Sequence, residues 1–167
     1  MSRASLIRQL SPTDKLALQR LYTEPIVRRH LGGPVSQAEA VAKVAALYEP
    51  GKCRRAWAIS TEASGQLLLG LVTLARHHDA EELEVSYALL PEHQGNGYAT
   101  QAVEQVLRYS FTVLGLERVV AETQTSNEAS VRLAERLGMK LERTLVRFGQ
   151  EQSMFVATPV RGVTSVA

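Results

Sequence analysis

Apolar and polar positions alternate most cleanly across residues 83–90. Leu83, Val85, Tyr87 and Leu89 fall on one face, and Glu84, Ser86 and Ala88 on the other. That period of two predicts a strand with one face on a core. Pro91 stops it. Over residues 100–114 the period changes: Ala102, Val103, Val106, Leu107, Phe111 and Leu114 recur at helical spacing. This predicts a helix with one buried stripe. Between the two lies the turn Gln94-Gly95-Asn96-Gly97-Tyr98-Ala99.

The same patterns order the rest of the chain. Residues 4–10 read as a first strand. Ser11-Pro12-Thr13-Asp14 opens a helix running to about Tyr22, and residues 23–34 read as an irregular crossing. Ser36 and Glu39 form a capping box for a second helix, which stops at Pro50-Gly51. Residues 56–60, 66–75 and 83–90 make an antiparallel series, with a turn at Gly65 and another at His77-His78-Asp79. Residues 118–123 form a further strand. Thr125 and Glu128 suggest a capping box for the helix that ends at Gly138, and residues 141–148 and 154–158 close as a hairpin. The order β-α-α-β-β-β-α-β-α-β-β predicts an α/β (α+β) fold. Its mixed, mostly antiparallel central sheet is flanked by helices, with a βαβ crossover at the glycine turn.

A glycine-rich turn between a strand and a helix aims backbone N–H groups and the positive end of the helix dipole at one place. Its natural ligand is a phosphate or pyrophosphate. No Lys-Ser/Thr pair follows Gly97, which excludes the nucleoside-triphosphate loop. Two glycines past mid-chain do not make the dinucleotide fingerprint. What remains is Gln-x-x-Gly-x-Ala at Gln94, Gly97 and Ala99, whose small residues admit a bulky group close to the main chain.

This pattern resembles the acetyl-coenzyme A loop of the GCN5-related N-acetyltransferases. The stretch from Pro91 to Ala102 resembles most closely the loop of the ribosomal-protein N-terminal acetyltransferase branch. Residues 127–139 are similar to a second family signature, as are Val27-Arg28-Arg29-His30-Leu31 and residues 34–40; the likeness spans about residues 4–159. It implies the acyl-CoA N-acyltransferase fold, acetyl-CoA as cofactor and direct transfer of its acetyl group to a primary amine. That amine would belong to a protein N-terminus, an amino acid or a small molecule. The alternative is a non-catalytic acyl-CoA-binding or sensing module of the same fold.

The resemblance also assigns residues. Main-chain amides from Gln94, Gly95, Asn96, Gly97, Tyr98, Ala99 and Thr100 would hold the pyrophosphate. Main-chain groups of Leu89 and Leu90 would hold the pantetheine arm, with an N–H near Leu90 polarising the thioester carbonyl. Asn127 would hydrogen-bond the same arm. Glu84 would act as general base, since an acid on a largely apolar strand has a raised pKa. Otherwise it faces solvent or pairs with an Arg such as Arg76. Many relatives carry a tyrosine acid where this chain has Ala134. Ser130, three residues after Asn127, fits the branch's substitute acid or simply caps a helix. His30 and Arg28 sit in the crossing that lines the acceptor site in relatives, or on an exposed face. Trp57 and Tyr87 read as core or pocket walls.

Composition narrows the partners. A chain of 167 residues reads as one domain with its core at about 4–159 and a fraying tail over 160–167. A net charge of +2 offers no concentrated basic face for nucleic acid. The single cysteine, Cys53, has no internal partner, no stretch reads as a membrane span, and no signal pattern opens the chain, so the expected setting is cytosolic. Basic neighbours could lower the pKa of Cys53, but direct transfer needs no nucleophile. His77 and His78, adjacent and without further ligands, read as a solvated turn, and no metal is expected. A homodimer through the terminal hairpin is expected; the acceptor, the acyl length and the oligomeric state are not encoded legibly.

Overall fold

The computed structural model describes residues 6–49, 54–64, 67–79 and 81–160. Pro50, Gly51, Cys53, Gly65 and the tail from residue 161 lie outside the described residues. In chain order the elements are β1 (Ile7–Gln9), α1 (Lys15–Thr23), α2 (Pro25–Arg28), α3 (Gln37–Leu47), β2 (Arg54–Ile59), β3 (Gly70–Arg76) and β4 (Leu83–Leu89). There follow α4 (Tyr98–Thr112), β5 (Val119–Gln124), α5 (Glu128–Arg136), β6 (Lys140–Arg147) and β7 (Gln150–Ala157). The strands form one seven-stranded sheet in the order β1-β2-β3-β4-β5-β7-β6. All neighbours are antiparallel except β4 and β5, which run parallel around the α4 crossover.

Alternation along the strands splits the core into two layers. On one face Val72, Leu74, Val85, Leu89 and Val119 pack against Ala102, Val103, Val106 and Leu107 of α4 and Leu133 and Ala134 of α5. Leu83 and Tyr87 pack on the same side, as the period of two predicts. On the other face Ala58, Leu71 and Leu90 meet Leu18 and Leu21 of α1 and Val44 of α3. Gly70 lets β3 start close against β4. A Cβ there would lie 2.3 Å from the Ala88 carbonyl oxygen, so no larger residue fits without moving the strand.

Several local expectations change. The crossing after Thr23 contains the short helix α2, started by Pro25, whose fixed φ suits a first helical position. β3 begins at Gly70 instead of residue 66. α4 begins at Tyr98, inside the glycine turn, because Gly97 already supplies the left-handed N-cap at φ 77°. Thr125 does not cap α5; its hydroxyl bonds Ser153 Oγ at 2.8 Å, and the Asn127 side chain takes the cap instead. The Ser36–Glu39 box and the left-handed Gly138 (φ 72°) stand as predicted. Among the described residues, no helix is long and apolar enough to cross a membrane.

One buried ion pair fixes the entry of α1. Asp14, 4% exposed, accepts two hydrogen bonds from Arg8 at 2.8 Å and one from the Ser11 N–H at 2.7 Å. Burial works to raise its carboxyl, but Arg8 and Ser11 outweigh it and leave it below the ordinary value. The resulting stability is present above the ordinary aspartate range and is lost as pH falls through the depressed value. Replacing Asp14 by Ala should cost about 2–3 kcal/mol near neutrality. Thermal unfolding should show that deficit shrinking toward acid pH.

Candidate active site

β4 and β5 share one register pair, Glu84 with Val120. Beyond it the strands part. The Glu122 N–H is accepted by a side chain, Glu84 Oε1 at 3.4 Å. The opening becomes a cleft of about 580 Å³. Val85 to Leu89 line it from β4, and Ala121, Glu122 and Thr123 from β5. Residues of α4 and α5 form one wall, and Ile26, Val27, Arg29, His30 and Leu31 stand at its other side.

The glycine turn borders this cleft through Gln94, Gly95, Gly97, Ala99 and Thr100. Gly95 and Gly97 both have positive φ, 79° and 77°, which bends successive amides toward one side. The helix that follows has no side-chain cap. No acceptor among the described residues takes the amide hydrogens of residues 95–100. Six unpaired donors at a helix start are an anion cradle. Gln94 belongs to the frame: its amide is bonded to the Pro91 carbonyl at 3.2 Å, and its Nε2 donates to the Leu89 carbonyl at 3.1 Å. Asn96 closes the turn on itself through the His93 and Gln94 carbonyls, and Tyr98 packs toward the core. Leu90 departs from expectation. Its N–H is bonded to the Leu69 carbonyl at 2.9 Å and its side chain joins the α1–α3 core, so it cannot polarise a carbonyl in the cleft.

Glu84 sits on the β4 face opposite Tyr87, neither exposed nor paired with Arg76. Burial holds its carboxyl above the ordinary value; His77 and the Glu122 N–H pull against that, and the Glu122 charge adds to it. Glu122 reaches the cleft itself but is saturated. Its carboxylate faces His77 Nε2 at 2.7 Å, Arg147 Nε at 2.8 Å and Arg147 Nη2 at 3.4 Å. His77 Nδ1 accepts the Asp79 N–H at 3.2 Å, which leaves Nε2 as the hydrogen carrier toward Glu122. Arg147 also pairs with Asp79. Of the two acids, Glu84 is the one without a guanidinium on its oxygens.

His77 is therefore no solvated turn: it is 1% exposed, and its ring lies 4.3 Å from that of His78. The turn folds the two imidazoles together instead of separating them, and Glu122 adds a third potential ligand. Arg147 already places a fixed cation on Glu122, and a divalent ion would meet its charge. Nothing local ties His77 to Glu122, 45 residues apart. The one mark in the sequence is a lone acid inside the strand 119–124.

On the opposite wall Asn127 Oδ1 accepts the Ser130 N–H at 3.3 Å, and both residues line the cleft. Tyr87 lines the cleft from β4, as Ser130 does from α5; burial raises the Tyr87 phenol above the ordinary value and the Ser130 side chain works the other way. Trp57 packs edge-on against Tyr109 at 5.7 Å, as core. His30 Nδ1 meets Gln124 Oε1 at 3.1 Å, anchoring the crossing over β5. Arg28 turns inward, donating to the Gly33 and Leu31 carbonyls, while Arg29 faces the cleft.

The family profile described as an acetyltransferase (GNAT) domain matches residues 5–140. The chain is 31% identical to the uncharacterized N-acetyltransferase YoaA of Bacillus subtilis over 86% of its length and 83% of the relative's. It is 35% identical to spermidine N(1)-acetyltransferase of Vibrio cholerae, over 47% of this chain and 46% of that one. Among solved structures, a GNAT-family acetyltransferase from Bacillus anthracis superposes with a TM-score of 0.78 at 20% identity, over 93% of this chain and 96% of the other. Spermidine N-acetyltransferase from Vibrio cholerae in complex with CoA and spermine gives 0.77 at 22% identity, over 91% and 94%. The chain belongs to the GNAT acetyltransferase family and is an acyltransferase that uses acetyl-CoA. Six unpaired amides and a parted strand pair fit that group.

Replacing Gly97 by Val puts a β-branched residue at φ 77°, which costs roughly 1–2 kcal/mol in the bound loop. Calorimetric titration should show CoA affinity falling by about tenfold or more, and the thermal midpoint should fall by a few degrees, because the same φ is held without ligand.

Proposed function

We propose that the chain transfers an acetyl group directly from acetyl-CoA to a primary amine, with Glu84 as general base. The observation that carries this is the position of Glu84: a part-buried carboxyl at the point where β4 and β5 part, raised above its ordinary value by desolvation. The cofactor supplies an activated thioester. The amides of residues 95–100 hold its diphosphate and Leu89 and Asn127 border its arm; Glu84, set behind the lining on the Glu122 N–H, takes through water the proton that keeps an ammonium from attacking. A purely binding module has no use for a carboxyl held above its ordinary value at this point. The Asn127–Ser130 spacing supports placement near the ribosomal-protein N-terminal branch.

The charge of the cleft supports an acceptor that is neutral or anionic beyond its amine, such as a peptide N-terminus or an amino acid. Glu122 is its one lining carboxylate, and its oxygens are already taken, whereas Arg29, Arg132 and Arg136 line the walls. A polycation gains nothing there. The proposal includes a cytosolic setting, one domain, and a homodimer through the β6–β7 hairpin. The 77% and 87% exposure of Val146 and Phe148 supports that pairing.

Thiol release from acetyl-CoA across peptides, amino acids and polyamines tests this reading. Peptides or amino acids should turn over with kcat/KM at least tenfold above spermidine; a preference for spermidine overturns the acceptor assignment. Because the base must be deprotonated, kcat/KM should fall toward acid with an apparent pKa above the ordinary glutamate range. Glu84→Gln should lower kcat by about 10²–10⁴-fold, remove that limb and leave CoA affinity intact.

A further inference from the structure

We propose that Arg29 is a specificity-determining residue: its guanidinium takes a carboxylate carried by the amine that is acetylated. This rests on the acetyl-transfer reading above and narrows its acceptor to a carboxylate-bearing amine. The sheet register divides the cleft into two sides. Val85, Tyr87 and Leu89 of β4 and Val119 and Ala121 of β5 belong to the layer packed under α4 and α5. Alternation therefore turns Glu84 and Ser86, and from β5 Glu122 and Gln124, to the other side. The glycine turn that opens α4 and Asn127 at the start of α5 belong to the first side. The crossing after α1 covers the second, where His30 bonds Gln124 at 3.1 Å. The base stands on that second side, so the amine approaches it between β4 and the crossing. Ser86, exposed in the middle of a central strand, leaves the floor of this approach open.

Among the described residues, Arg29 is the one guanidinium lining the cleft from that side. Arg132 and Arg136 belong to α5 on the cofactor side, and Arg132 is paired with Glu128 at 3.0 Å. Arg29 is exposed, and nothing among the described residues pairs with its guanidinium. Its neighbours are tied down. Arg28 Nε donates to the Gly33 carbonyl at 2.9 Å, the Gly33 N–H returns to the Arg28 carbonyl at 3.0 Å, and His30 is held by Gln124. A cation on a fixed backbone with its donors free is preorganised for an anion. The cofactor's diphosphate has its own donors at residues 95–100, so the anion left for Arg29 is the acceptor's. A guanidinium fork matches a carboxylate with two parallel hydrogen bonds. Two sources set that group beside a primary amine: the α-carboxylate of a free amino acid, and an acidic side chain at a peptide N-terminus.

Thiol release from acetyl-CoA with two matched pairs of acceptors tests the assignment. One pair is free amino acids against their amides. The other is C-terminally amidated peptides that begin with Asp or Glu against those that begin with Asn or Gln. In at least one pair the carboxylate form should have the higher kcat/KM by about tenfold or more, carried mainly by KM; the pair that shows it identifies the source. Arg29→Gln should abolish that preference and Arg29→Glu should reverse it. A merely structural loss lowers both members of a pair alike and leaves their ratio in place. A smaller preference in both pairs, or one that Arg29→Gln leaves in place, overturns the assignment. So does a calorimetric CoA affinity that falls with Arg29→Gln, which puts the guanidinium on the cofactor. If spermidine outruns every carboxylate-bearing acceptor, the acceptor reading above falls and takes Arg29 with it. If peptides or amino acids outrun spermidine and neither pair discriminates, the role of Arg29 alone falls.

Discussion

The structure depends on one interrupted pairing. β4 and β5 are parallel neighbours that meet at Glu84 and Val120 and then part. A parallel pair normally continues its slanted ladder. Here a carboxylate occupies the next acceptor position: Glu84 Oε1 faces the Glu122 N–H. That contact ends the ladder and leaves backbone of both strands facing a cleft in place of each other. It also draws the Glu84 carboxyl partly out of solvent.

The rest of the molecule holds this gap open. The four-stranded meander β1–β4 is braced on one side by α1 and α3. β5 is paired along its whole length with β7, from Val119 with Ala157 to Gln124 with Gln152. Each half of the sheet is satisfied without the other, so separation costs little hydrogen bonding. Arg147, at the end of β6, reaches over to Glu122 and Asp79, and His77 reaches the same carboxylate from the turn after β3. This polar cluster ties the two halves together below the gap and occupies the Glu122 oxygens. At the far end, Arg20 of α1 grips Glu92 just before the glycine turn, with Nη2 to Oε2 at 2.9 Å. The turn is therefore held from outside and its amides are left unpaired.

What the sequence discloses follows from which forces are local. The alternation of Leu83, Val85, Tyr87 and Leu89, the helical stripe of α4, the glycines between them and the Ser36–Glu39 box are set within a few residues, and all were legible. The glycine turn with its unpaired amides was legible for the same reason, although Gln94 and Leu90 proved to spend their N–H groups on the frame. What escaped depends on distant partners. His77 reads as a solvated turn until Glu122 arrives from 45 residues away. Thr125 loses its capping role to a bond with Ser153, 28 residues on. The insertion of β7 between β5 and β6 is a choice of strand partner that periodicity cannot express. Tyr87, read as core or pocket wall, does pack on the core and line the cleft.

The central claim is that the peptide nitrogens of residues 95–100 wait for a diphosphate, because no acceptor among the described residues takes them. Amide hydrogen exchange measures that directly. Without ligand these six amides should exchange quickly even though α4 behind them is protected, since neither a carbonyl nor a side chain slows them. With saturating CoA they should slow by at least about tenfold, while the already bonded amides of Leu90 and Gln94 change little. Slow exchange before CoA is added, or CoA binding that leaves these six amides as fast as before, would contradict the account.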